Sequence, residues 1–170
     1  MPTPAPTLTG RCSCGKVEYS VEDDFQYFVY CHCAECRTST GSAFNAAAGI
    51  AESKFKLTKG KESLTEYPKP KIYPDGLVST LSFCNTCGSS LFSTKTRPNV
   101  ETIVQIRMGT LVDMPMGDSN VVATKARPQG HVWVSENAHW FSIKEEATLP
   151  QFPEAATESP KPGPVYPPSN

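Results

Sequence analysis

No stretch of this chain comes near 18 consecutive apolar residues, so no membrane-spanning helix is expected. Charge of either sign is also scarce. Sixteen Lys and Arg stand against seventeen Asp and Glu, for a formal net charge of −1, and no cluster of basic residues marks a nucleic-acid surface. The reading is therefore of no nucleic-acid partner and no membrane. The first residues, Met1-Pro2-Thr3-Pro4-Ala5-Pro6-Thr7, have neither the basic start nor the apolar core of a secretory signal. That favours a cytoplasmic protein with reduced thiols. Internal repeats and amphipathic helical patterns are missing as well.

Cysteine outside clusters is absent too. All seven cysteines fall in three short groups: Cys12-Ser13-Cys14, Cys31-His32-Cys33-Ala34-Glu35-Cys36 and Cys84-Asn85-Thr86-Cys87. An odd count in tight clusters argues against a disulfide framework, and Cys-x-Cys partners could bridge each other only under strain. Metal ligation is the alternative. Zinc takes four ligands in a tetrahedron, and three thiolates leave one position open. Seven sulfurs divide naturally as four and three. The two outer pairs, Cys12, Cys14, Cys84 and Cys87, are read as a closed structural zinc site that ties an early hairpin to a late knuckle. The central trio, Cys31, Cys33 and Cys36, is read as an open catalytic site. A competing arrangement joins Cys33/Cys36 to Cys84/Cys87 as a zinc ribbon and strands the other three.

The rest of the sequence is strand-like. Val17, Tyr19 and Val21 alternate with Glu18 and Ser20, the period of a half-buried strand. Further strands are expected at Gln26–Tyr30, Ala43–Ile50, around Phe55 and Leu57, near Tyr67, and at Val78–Phe83, Thr102–Met108, Val121–Thr124 and His131–Val134. Ala34–Ser39 could form a helical turn that aims Cys33 and Cys36 at one point. Many short strands with Gly/Pro turns predict an all-β domain over residues 8–150. It is flanked by a flexible tail at 1–7 and a Pro-rich, disordered tail at 151–170 that cannot bury enough apolar surface to order itself.

Other residues are weaker candidates. His32 lies between two presumptive ligands and in extended backbone points away from them, which suits a supporting hydrogen bond. Arg37, Lys16 and Arg107 are possible anchors for a substrate carboxylate. The segment from Gly130 to Trp140 holds His131, His139, Trp133 and Trp140. It reads either as a late strand with core tryptophans or as a wall of the open metal site.

Four segments together, Gly10–Tyr19, Cys31–Arg37, Phe83–Gly88 and His131–Ser135, resemble the glutathione-dependent formaldehyde-activating enzyme family, which also includes the centromere protein V-like proteins. The resemblance implies a small zinc-bound β-tent fold, like that of the Mss4 exchange-factor-like proteins. It implies a structural zinc on the first and third clusters and a catalytic zinc on the second. The activity it implies is a carbon–sulfur lyase or synthase acting on the adduct of glutathione with formaldehyde or another small electrophile. Glutathione is then a co-substrate, Arg37 a candidate for its carboxylate, and His32 and His131 candidates for proton transfer. The alternative is a non-catalytic zinc scaffold that binds a protein partner. Where many relatives place proline before the final tryptophan, this chain has His139 before Trp140.

Overall fold

A computed structural model describes residues 7–22, 24–70, 75–112, 127–143 and 148–155. The expected strand at 121–124, residues 1–6 of the expected tail at 1–7, and residues 156–170 lie outside the described residues, while Thr7, the last residue of that tail, begins a strand. The all-β class is borne out by two sheets and one short helix.

The smaller sheet is antiparallel and has three strands: β1 (Thr7–Arg11), β2 (Glu18–Glu22) and β5 (Phe55–Lys59), in the order β1-β2-β5. The alternation in β2 does what its sequence demands, with Tyr19 and Val21 buried. Tyr19 sits opposite Gly10, and a β-carbon at Gly10 would run into its ring. The glycine thus makes room for an aromatic side chain laid across the neighbouring strand.

The larger sheet holds β3 (Tyr27–Cys31), β4 (Asn45–Ala51), β6 (Leu64–Pro68), β7 (Val78–Cys84), β8 (Ser90–Arg97), β9 (Val100–Arg107) and the two-residue β10 (His131–Val132). Its order is β10-β3-β4-β9-β8-β7-β6, antiparallel except for the parallel pair β10–β3. The main core lies between the two sheets. Leu8, Tyr19 and Val21 from the smaller one meet Phe28, Ala48, Ile50, Phe92, Val104 and Ile106 from the larger. Tyr19, Phe55 and Phe92 meet there in tilted and edge-to-face pairs with ring centroids 4.7–6.0 Å apart, inside the range of favourable aromatic pairs.

The opposite face of the larger sheet is polar where β8 and β9 cross it. Ser93 faces Gln105 across the register and donates to its Oε1 at 3.5 Å. Gln105 Nε2 donates to Tyr27 Oη at 3.2 Å, and Lys95 Nζ to the buried Ser79 Oγ at 2.7 Å. Over this side lies the helix α1 (Ala34–Thr40), which follows β3 and ends at Gly41 in the left-handed conformation, φ 64°. Only a residue without a β-carbon adopts that conformation freely.

Three expectations need correction. The strand expected over His131–Val134 stops at Val132, because Trp133 has φ 58° and starts a 3-10 turn at Val134–Glu136. The tryptophans are not both in the core: Trp133 packs partly against Val29, Cys31 and Val132, while Trp140 is 71% exposed. Ordered structure also continues past residue 150. His131 bridges Gln151, Val134 N donates to Phe152 O, and Ser135 Oγ donates to Pro153 O at 2.6 Å. Among the described residues no helix is long and apolar enough to cross a membrane.

Candidate metal centre

The fold brings the seven thiols together as two separate sets. Cys12, Cys14, Cys84 and Cys87 have all four sulfurs within 4.8 Å of one another, and so do the three sulfurs of Cys31, Cys33 and Cys36. The ribbon pairing of Cys33/Cys36 with Cys84/Cys87 does not occur in this structure. Local geometry explains each set. The turn after β1 places Cys12 and Cys14 on one side, with Gly15 at φ 71°. Gly15 N donates to Cys12 O, and Val17 N donates to Cys12 Sγ at 3.3 Å. The knuckle after β7 does the same for Cys84 and Cys87, with Gly88 at φ 73° and its amide on Cys84 O. In the trio, Cys31 ends β3. Cys33 caps α1, its sulfur accepting from Cys36 N at 3.4 Å, and Cys36 lies within the first turn.

These sets fit zinc. Four sulfurs at about 2.3 Å from one ion stand about 3.8 Å apart in a regular tetrahedron. The observed separations are 3.5 Å for Cys12–Cys14, 3.8 Å for Cys14–Cys84 and 3.6 Å for Cys31–Cys33. The donor sets also differ in completeness. The first has four thiols. The second has three, and among the described residues no fourth His, Cys, Asp or Glu ligand atom joins it.

The trio's electrostatics favour a cation. The Cys36 thiol is pulled down to about 2 by hydrogen bonds from Cys31 and then Cys33, against burial, with Arg107 and Asn45 adding to the effect. Cys31 is pushed far up by its hydrogen bonds with Cys33 and then Cys36, and by burial. One thiolate therefore forms readily, and further ionisation needs positive charge at the centre. In the other set Cys87 is lowered to about 5, first by the Ser89 hydroxyl at 3.2 Å.

His32 is fully buried and points away from the sulfurs. Its Nδ1 is 3.1 Å from Asn137 Oδ1 and its Nε2 is 2.8 Å from His131 Nδ1. Burial lowers both imidazoles below their ordinary range, and His131 lowers His32 further. Arg37 donates through Nε to the His32 carbonyl at 3.1 Å, bracing the backbone between Cys31 and Cys33. Lys16 reaches Thr86 Oγ1 at 3.3 Å across the four-sulfur site. His139 is exposed. Three neighbours of the trio carry no signal in the sequence. Asn45 Nδ2 donates to Cys36 Sγ at 3.8 Å. Glu136 Oε2 accepts from Ala34 N, at the start of α1, at 2.8 Å. Lys69 pairs with Glu35 of the helix at 2.7 Å. Two cavities flank α1. One, about 590 Å³, is lined by Glu35, Thr38, Tyr67, Lys69, Leu81 and Glu136 among others. The second, about 470 Å³, includes Thr40, Asn45 and Arg107 in its lining.

A two-sheet β protein with one four-thiol set and one three-thiol set is, by its chemistry, a protein equipped for a closed and an open thiolate metal centre. Comparison with known families gives the more particular assignment. The profile of the family described as glutathione-dependent formaldehyde-activating enzyme matches residues 7–136, and the chain belongs to that family. Among solved structures, one of a Rhodobacter sphaeroides protein is similar at 27% identity, over 68% of this chain and 97% of that one, with a TM-score of 0.47.

Proposed function

We propose that the protein is a zinc-dependent carbon–sulfur lyase that interconverts glutathione plus formaldehyde, or another small electrophile, with their S-hydroxyalkyl adduct. In the synthetic direction the glutathione sulfur forms a bond to the carbonyl carbon. The carbon–oxygen π bond breaks, and the proton lost by the thiol ends on the new hydroxyl. The reverse reaction expels the sulfur and restores the carbonyl, with no change of oxidation state.

The observation that carries this reading is the incomplete trio. Three thiols are aimed at one point, Cys31 buried and Cys33 and Cys36 half-buried, and the described residues offer no fourth ligand. An ion held there would supply one thing, stabilisation of an incoming sulfur as thiolate at neutral pH. The chain's own groups do the rest. Asn45 and the nearby Arg107 charge favour the anionic form of Cys36. His131 and Asn137 hold the His32 ring, and Arg37 holds its carbonyl, so that Cys31 and Cys33 stay in register. We assign Cys12, Cys14, Cys84 and Cys87 to a structural zinc, on their four-fold completeness.

Exchange between free and adducted 13C-formaldehyde, followed by NMR in the presence of glutathione, tests the proposal. The wild-type chain should accelerate exchange, and Cys33→Ala should return it to the uncatalysed rate while the fold survives. Equal acceleration by the variant would remove the trio from the reaction.

A further inference from the structure

The second cavity beside α1 has a property that the lyase reading does not use. Its wall includes a neighbour of each sulfur set. Asn45, in its wall, reaches Cys36 Sγ at 3.8 Å, and Ser89 Oγ is 3.2 Å from Cys87 Sγ. Thr40, Ser42, Ser90, Thr110 and Arg107 also line it. Two of these groups are buried without a partner, Arg107 Nε and Ser90 Oγ. Ser82 Oγ is a third such atom but does not line the cavity.

Arg107 is only 5% exposed. Its Nη1 donates to Gln105 Oε1 at a long 3.4 Å, and among the described residues no carboxylate pairs with it. Buried guanidinium groups are normally paired and hydrogen-bonded, because an unpartnered charge in a low-dielectric site is costly. The anionic neighbours it has are the trio's thiolates and Tyr27, and a divalent ion on the trio would draw on the same thiolate charge. The cavity wall thus holds a guanidinium with an unpartnered Nε–H and, on a second residue, an unpartnered hydroxyl, both just beneath its surface. That donor set matches the planar geometry of a carboxylate.

Building on the lyase reading, we propose that this cavity binds a carboxylate of the thiol substrate, with Arg107 and Ser90 donating to it, and so positions the substrate's sulfur at the open side of the trio. Glutathione has two carboxylates, one on glycine and one on the γ-glutamyl group, and either supplies the required chemistry.

Calorimetric titration of the zinc-loaded chain with reduced glutathione, its glycine monoethyl ester and cysteinylglycine tests the proposal and separates the two sources. The ester masks the glycine carboxylate, and the dipeptide lacks the γ-glutamyl one. One of the two should bind about tenfold more weakly than glutathione, the scale of a lost charge-assisted hydrogen bond. Arg107→Gln should abolish that difference. Ser90→Ala, which does not touch the trio, should shrink it by about fivefold with the zinc content unchanged, and decides alone if Arg107→Gln does not fold. Equal binding of all three ligands by the wild type, or full discrimination in Ser90→Ala, overturns the carboxylate site. Formaldehyde exchange measured on the same samples keeps the two ideas apart. Turnover with no discrimination defeats the cavity proposal alone, and discrimination with no turnover defeats the lyase reading alone.

Discussion

Cys36 is where the trio's first negative charge settles, and Asn45 is the neutral side chain that donates to it. Groups that hydrogen-bond a metal ligand fix its orientation and tune its basicity, and losing one typically costs about 10–100-fold in metal affinity. Asn45→Ala should therefore weaken zinc at the trio by about that factor in a competition titration with a chelator. The four-sulfur site should be unaffected. Equal affinity in variant and wild type would show that the 3.8 Å contact contributes nothing. Asn45 could not have been found from the sequence, where it sits inside an alanine-rich strand. Arg107 was visible only as one arginine among several, since its significance lies in its burial and its unpartnered Nε. The cysteines were legible because thiols have few other uses at that spacing. Their spacing suggested four plus three but left the ribbon pairing open, and the fold separates the two sets in space.

At the level of elements, α1 is the weakest part of the site. It has seven residues, buries none of them, and lies between the Cys33 cap and Gly41. A helix this short is not stable alone, and on the proposed reading ligation of Cys33 and Cys36 contributes to holding it. Removing metal from the trio should raise amide exchange across Arg37–Thr40 while β4, β8 and β9 keep their protection. Unchanged exchange in α1 would mean that its caps alone suffice. β2 allows a second prediction. Burial pushes the Tyr19 phenol up to about 12, against a lowering hydrogen bond with Thr110 Oγ1 at 2.5 Å. Below pH 10 both folded and unfolded chains keep this proton, and the native state holds its full advantage. Above pH 10 the unfolded tyrosine ionises first, so stability should fall towards pH 12, by at most roughly 2–3 kcal/mol from this group. Urea midpoints at pH 9 and 11 should show a smaller fall in Tyr19→Phe; an identical fall would place the alkaline loss elsewhere. Val17, Tyr19 and Val21 made β2 readable in advance, because one face of it meets an apolar core. β8 was not readable as a strand. Its sequence, Ser90 to Arg97, alternates towards a polar face occupied by Gln105 and Ser79, on the side of α1. The parallel β10–β3 pair was equally hidden, since two residues carry no period.

Across the whole molecule, the four-sulfur site joins the turn after β1, in the smaller sheet, to the knuckle after β7, in the larger. Two sheets that share one core are thereby tied at one end, and the binding free energy of an ion there counts towards folding. The trio is placed differently, at the end of β3 and the start of α1, beside two cavities. On the proposed reading, an ion there could leave without untying the sheets. This division of labour is the central claim, and native mass spectrometry with and without glutathione tests it most directly. The wild-type chain should carry two zinc ions and take up one glutathione, and Cys33→Ala should keep one zinc and take up none. A Cys33→Ala chain that still holds two zinc ions, or still captures glutathione, would contradict it.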